Sequence, residues 1–169
     1  MRAFEKKGEL LKIKEVTESD FELFKTWFST PFEVFQCFGP TITYPLIWRD
    51  LQAFLAKFPP RYFVTGWQNN TCIALGKIIP PDNVVPPRLG WIAVDKKVRG
   101  QGLGLQWLAQ LCVIADEKYP KSPLQLYVLE GNPAAKSVYL KNGFKTLPES
   151  ENILVQFEGR GITIEKMQR

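Results

Sequence analysis

Histidine is absent from this chain, and its 169 residues hold only three cysteines and two methionines. The first absence removes a block of chemistry. Ser-His-Asp and Cys-His nucleophilic sites, His-ligated zinc and HExxH proteases all need an imidazole. Cys37, Cys72 and Cys112 lie 35 and 40 residues apart, with no Cys-x-x-Cys pair. That spacing makes neither a metal site nor a disulfide framework, so no metal is expected. Apolar neighbours, as in Leu111-Cys112-Val113-Ile114-Ala115, read as reduced, buried thiols of a cytoplasmic protein. Long apolar runs are missing too. The longest is the five residues from Leu111 to Ala115, against about 20 needed to cross a bilayer. The first eight residues, Met1 to Gly8, contain no apolar stretch of the signal-peptide kind.

What is present is the balance of a packed globular protein, 45% apolar and 23% charged, at a length that predicts one domain over residues 1–169. Charge is uneven. Residues 1–60 hold 8 Lys/Arg and 8 Asp/Glu, whereas residues 61–169 hold 14 and 9, so the whole net charge of +5 lies in the second part. A basic excess suits either nucleic acid or a small polyanionic cofactor. With no Lys/Arg-rich tail and no nucleic-acid recognition motif, a nucleic-acid partner is not expected.

Periodicity divides the chain into alternating elements. Gly8 to Glu15 alternates as a half-buried strand, and Thr17 to Asp20 offers N-caps for a helix bearing Phe21, Phe24, Trp27 and Phe28. Pro31 is expected to end that helix, leaving the aromatic stretch Phe32 to Pro45 as an ordered loop. A second helix is predicted from Leu46 to Phe58. Strands follow at Tyr62–Trp67 and Cys72–Ile79 around a hairpin at Gln68-Asn69-Asn70, then at Leu89–Val94. Leu103–Lys118 is an amphipathic helix, Leu124–Leu129 a strand and Pro133–Lys141 a short helix closed by Asn142-Gly143. A strand start at Phe144–Leu147 precedes two last strands at Ile153–Phe157 and Ile162–Ile164. The order, β-α-α-β-β-β-α-β-α-β-β, is a mixed α/β (α+β) arrangement with an antiparallel centre and is not a doubly wound alternation.

One loop carries chemistry. Arg99-Gly100-Gln101-Gly102-Leu103-Gly104 joins a strand to the longest helix. Glycines there let backbone N–H groups converge, and the helix adds its uncapped donors and the positive end of its dipole. The result suits a phosphate or pyrophosphate. It is not a P-loop, because Leu105-Gln106 follows Gly104 where Lys-Ser/Thr is required. Nor is it a dinucleotide fingerprint, whose third glycine is replaced by Leu105. A bare strand-to-helix turn is the other use of such glycines.

The segment Val94 to Gly104 resembles the acyl-CoA pyrophosphate loop of the GNAT superfamily of N-acyltransferases, Arg/Gln-x-x-Gly-x-Gly/Ala between a strand and a helix. A second segment, Asn132 to Phe144, resembles that superfamily's Asn-x-x-Ala-x-x-x-Tyr-x-x-x-Gly-Phe. The resemblance implies a central, mostly antiparallel mixed sheet with splayed strands, flanked by about four helices. It implies acetyl-CoA as donor, with its pantetheine arm between Leu89–Val94 and Leu124–Leu129. The N–H groups of Arg99, Gly100, Gln101, Gly102, Leu103 and Gly104 would hold the pyrophosphate. Main chain at Ala93 and Val94 would pair with the pantetheine amides and polarise the thioester carbonyl. Asn132 would bond the same arm, Lys96 and Lys97 would add positive potential, and Tyr139 would assist the leaving thiolate. Read from spacing alone, Tyr139 is equally a ring packed on a short helix.

No general base is assigned. The strand Leu89–Val94 has no carboxylate, Tyr127 stands where ribosomal-protein acetyltransferases carry their base, and Glu130 and Glu33 read equally as surface carboxylates. Trp27, Phe32, Phe35, Phe38, Tyr44 and Trp48 either wall an acceptor site or form core beneath a loop. The expected activity is acetyl transfer to a primary amine by direct attack in a ternary complex, since no cysteine looks nucleophilic. The alternative is a non-catalytic acyl-CoA-binding module. Either could be a monomer, or a homodimer paired through Ile153–Phe157.

Overall fold

The computed structural model describes residues 9–169. The expected start of the first strand at Gly8 lies outside them. Thirteen main elements run in chain order: β1 (Lys12–Glu15), α1 (Glu18–Phe24), α2 (Pro31–Phe38), α3 (Trp48–Ala56), β2 (Tyr62–Gln68), β3 (Thr71–Ile79), β4 (Arg88–Val94), α4 (Leu103–Lys118), β5 (Gln125–Leu129), α5 (Pro133–Lys141), β6 (Lys145–Thr146), β7 (Ile153–Phe157) and β8 (Arg160–Gln168).

Pro31 does not end a helix; it begins one. Helix α1 stops at Phe24 and passes through a 3-10 turn at Lys25–Trp27. Proline's missing N–H costs nothing in a helix's first turn, and here the start is capped. Thr30 Oγ1 accepts the Glu33 N–H at 3.2 Å, and a Glu33 carboxylate oxygen accepts the Ser29 N–H at 2.6 Å. The aromatic stretch is therefore half helix, and five α-helices replace the expected four. Thr17 caps α1 as expected, in a reciprocal box with Asp20.

The strands form one mixed sheet in the order β1-β2-β3-β4-β5-β8-β6, with β7 also on β8. Only the β4–β5 contact is parallel. Strand β8 is three times the expected length. It takes β5 along one side and β6 and β7 end to end along the other. Glu165 and Lys166 hide that strand in the sequence, and each is matched by an opposite charge, Lys136 and Glu151 respectively.

Helices cover both faces. Strand alternation sends Leu126, Val128 and Ile78 to the side of α4 and α5, and Phe63, Leu75 and Trp91 to the side of α1–α3. Trp107 of α4 is fully buried on the first side, its indole N–H donating to the Leu75 carbonyl at 2.8 Å. It fits because Gly66 has no Cβ; one built there would lie 2.8 Å from the indole ring. Truncating Trp107 to alanine should cost about 3–5 kcal/mol, through lost burial and a residual cavity. Urea denaturation should show a lower midpoint at unchanged m. A loss under about 1 kcal/mol would mean that the indole does not hold the sheet to α4.

Candidate functional site

Strands β4 and β5 share a single bridge, Arg88 opposite Gln125, and then diverge. The cause is in β4. Gly90 pairs with Lys77 and Ala93 with Leu75, so Trp91 and Ile92 together face Gly76, a bulge that bends the strand. Trp91 carries it at φ +52°, a costly conformation for an indole-bearing residue. Its ring is locked by Phe38, Phe54 and Phe63 at centroid distances of 5.1, 5.4 and 5.2 Å. Aromatic packing holds the bulge, and the bulge opens the sheet.

A cavity of about 540 Å³ fills the opening. At one end lie Arg99, Gly100, Gly102 and Gly104. Gly102 is the N-cap of α4 at φ +79°, with no side chain capping the helix. The first intrahelical bond of α4 is from Gln106 N–H to the Gly102 carbonyl, so the N–H groups of Leu103, Gly104 and Leu105 remain available. A Cβ at Gly100 or Gly102 would meet nothing within 4 Å, so the space over this loop is open. The geometry fits a pyrophosphate. The Leu103 side chain is core, and that of Gln101 lies outside the cavity, so any contact from either would be through the backbone.

Along the opening, the Asp95 N–H bonds the Ile73 carbonyl at 2.9 Å. Ladder alternation then turns the Val94 N–H and carbonyl away from β3. The carbonyl accepts Arg99 Nε at 3.2 Å; Ala93 and Val94 both line the cavity. Across from them Asn132 caps α5, its Oδ1 accepting the Ala135 N–H at 3.3 Å. Tyr139, two turns further and 8% exposed, lines the same space. Burial, with the nearby Cys37 thiol, pushes the Tyr139 phenol above the ordinary tyrosine value. It therefore stays protonated. Burial also raises the Cys37 thiol, which keeps it a poor nucleophile.

The far end is walled by Trp27, Phe28, Glu33, Gln36 and Cys37. Of the six aromatics considered from sequence, only Trp27 reaches the cavity. Phe35 packs on Phe157 at 4.5 Å, Phe38 on Trp91, and Trp48 on Phe21, while Tyr44 is exposed. Glu33 is the one carboxylate among the lining residues. It pairs with Lys96, and that hydrogen bond, with the Ser29 N–H, holds its carboxyl below the ordinary value. Glu130 is exposed, outside the cavity.

Phe28, Gln36 and Ile92 gave no signal in the sequence, and neither did Lys77. Its side chain is buried, with Nζ 3.4 Å above the Trp91 ring and no ion pair among the described residues. Burial, reinforced by Arg61 and Arg88 and opposed by Cys37, pushes its pKa down to about 6.

Comparison with known proteins adds family. Residues 21–144 match the acetyltransferase (GNAT) family. A ribosomal-protein-alanine N-acetyltransferase from Brucella melitensis has a similar structure, with TM-score 0.73 at 18% identity over 94% of this chain and 99% of that one. An N-acetyltransferase from Staphylococcus aureus Mu50 gives 0.71 at 14% over 95% and 98%. A spermidine/spermine N-acetyltransferase from Vibrio cholerae gives 0.67 at 15% over 94% and 93%. At such identities these likenesses establish the fold.

The Lys77 environment has a consequence for stability. The unfolded chain holds the lysine proton up to about pH 10.5, the folded chain only up to about 6. Between those values the unfolded state binds more protons, so stability rises with pH across that window. Melting temperatures from pH 6 to 8, below the range where the unfolded cysteines ionise, should show this rise, and Lys77→Met should flatten it. An unchanged slope in Lys77→Met would show that this lysine is not the group responsible.

Proposed function

Because the chain belongs to the GNAT acetyltransferase family, we propose that it transfers an acetyl group from acetyl-CoA to a primary amine, as one domain over residues 1–169. The reading rests chiefly on one observation: a continuous cavity runs from the uncapped N-terminus of α4, past Tyr139, to the end walled by Trp27 and Phe28, which follow α1, and by α2.

Each group has a role there. The N–H groups from Arg99 to Gly104 bind the pyrophosphate, helped by the α4 dipole and the Arg99 and Lys141 charges at the same end. The Val94 N–H donates to the thioester oxygen as negative charge develops there. Its carbonyl, held by Arg99, is the less available partner. Asn132 fixes the start of α5 and keeps Nδ2 for the pantetheine arm. The amine nitrogen attacks the thioester carbonyl carbon, the carbon–sulfur bond breaks, and the thiolate meets the Tyr139 hydroxyl. A phenol whose pKa lies above that of a thiol does not transfer its proton in the ground state. Tyr139 stabilises the sulfur's developing charge instead. Attack is direct, since Cys37 is held as the neutral thiol.

With Glu33 committed to Lys96, the attacking amine gives its proton to water. For an amine of pKa about 10 that costs about 4 kcal/mol at neutral pH. The same lack of a free carboxylate favours the second reading, an acyl-CoA-binding module without turnover. Release of CoA on adding amines to the acetyl-CoA complex separates the two. The buried, reduced thiols support a cytoplasmic setting.

Gly104 tests the donor site. It lies inside α4, where a new Cβ would touch only Val94, at 3.9 Å. Gly104→Val should leave the fold cooperative while acetyl-CoA affinity, measured by calorimetry, falls beyond detection. Near-normal affinity would remove the pyrophosphate assignment. Tyr139→Phe tests the chemistry. We expect kcat to fall about 10²–10⁴-fold with acetyl-CoA Kd and melting temperature barely changed. Full kcat in folded protein, with chemistry rate-limiting, would leave Tyr139 a packing residue.

A further inference from the structure

On the α1–α3 face of the sheet, cations gather without an acid among them. Arg88, the first residue of β4, has a buried Nε with no partner, and its Nη1 lies 3.5 Å from the Tyr127 hydroxyl. Tyr127 lines the cavity. Behind Arg88, the Phe54 ring has Lys77 Nζ 5.2 Å from its centroid on β3 and the Arg61 guanidinium 5.6 Å away. Arg61 also lies over Phe58 at 3.8 Å. The three feel one another: Arg61 and Arg88 act on Lys77, and Arg88 acts on Arg61. Among the described residues, every ion-paired acid serves another cation. Asp82, which feels Arg88, accepts the Val84 and Val85 N–H groups in an exposed loop.

Uncompensated cations in a low-dielectric patch are costly to a fold. An incoming anion would repay that cost, and the patch adjoins the acceptor end. Tyr127, whose hydroxyl Arg88 meets, is itself a lining residue, so the cluster reaches the cavity through it. The Arg88 fork and the Tyr127 hydroxyl offer a planar pair of donors of the kind that a carboxylate fits.

We propose that the acceptor is a small amine that also carries a carboxylate, and that Arg88 and Tyr127 hold that carboxylate with Arg61 and Lys77 behind them. The assignment rests on the acetyltransferase reading above and narrows it. Lys77 then has a defined part. Neutral before binding, it takes up a proton when the carboxylate arrives, so its charge appears only when a counter-charge is present.

The test compares phenylalanine, methionine and glutamine with their amides as acceptors under saturating acetyl-CoA. Each amide has the weaker base and the more available nucleophile at neutral pH, so intrinsic reactivity works against the acid. We expect kcat/KM to favour the acids at least tenfold. In Arg88→Gln the ratio should collapse towards one, mainly through KM. Calorimetry in buffers of different ionisation enthalpy should register proton uptake with the acids, lost in Lys77→Met. Should Arg88→Gln not fold, Tyr127→Phe removes the second donor and should reduce the ratio severalfold. Peptides beginning with aspartate form a further arm. Their preference over free amino acids would overturn the small-molecule assignment. CoA release from amides equal to that from acids would overturn the carboxylate site while leaving acetyl transfer standing. Absence of acetyl-CoA binding would overturn both.

Discussion

The main cavity of this molecule follows from two strands that begin as neighbours and part after one bridge. Had β4 and β5 stayed paired, their backbone groups would bond one another and the sheet would close over the space between them. The bulge at Trp91 prevents it, at the expense of a left-handed conformation for a large side chain. Three aromatic rings around that indole over-determine the position, so local strain is offset by packing that the rest of the fold supplies. Much of the density of phenylalanine and tryptophan in the first 60 residues is explained this way. Phe38 and Phe54 hold the strand bend, and most of the other rings face away from the cavity.

Legibility in the sequence divides along the same line. Helices α4 and α5 were readable to the residue, because periodicity, glycines and an Asn-Pro start all agree there. The glycine loop was readable for the same reason: backbone requirements leave marks on local sequence, whereas Tyr139 stands out only through the family resemblance. Helix α2 was missed because Pro31 was weighed as a terminator without its capping partners Thr30 and Glu33. The length of β8 was missed because its charges are neutralised by residues on α5 and the β6–β7 connection. The acceptor end was least legible. It is assembled from the turn after α1, from α2, β4 and β5, and a residue such as Lys77 acquires its character from neighbours on other elements. No window of sequence holds that information.

The two ends of the cavity use positive charge in opposite ways. At the α4 end, dipole, free N–H groups, Arg99 and Lys141 are solvated and need no reorganisation to meet a polyphosphate. At the other end, Lys77 is desolvated and Arg88 half-buried, with one nitrogen unpartnered. A solvated cation contributes long-range attraction that salt screens. A buried one contributes little until an anion displaces the last water, and then acts in a low dielectric, where each contact is stronger. Long-range recruitment thus suits the donor end, and close discrimination the acceptor end.

Between these ends, the reacting centre is nearly free of formal charge. Tyr139 and Cys37 are both held neutral by burial, and Glu33 is bound to Lys96 at the rim. An apolar centre keeps a cationic amine out, since an ammonium would have to shed its water without a counter-ion. It admits the neutral amine, the only form with a lone pair to attack. On the proposed reading desolvation admits only the neutral amine, and the cost of forming it from the ammonium, about 4 kcal/mol for an amine of pKa about 10, is met in solution before entry. Once acyl transfer begins, the charge that develops lies on oxygen and sulfur. On the proposed reading the Val94 N–H and the Tyr139 hydroxyl, both in the lining of that space, meet this charge, and the low dielectric strengthens both contacts.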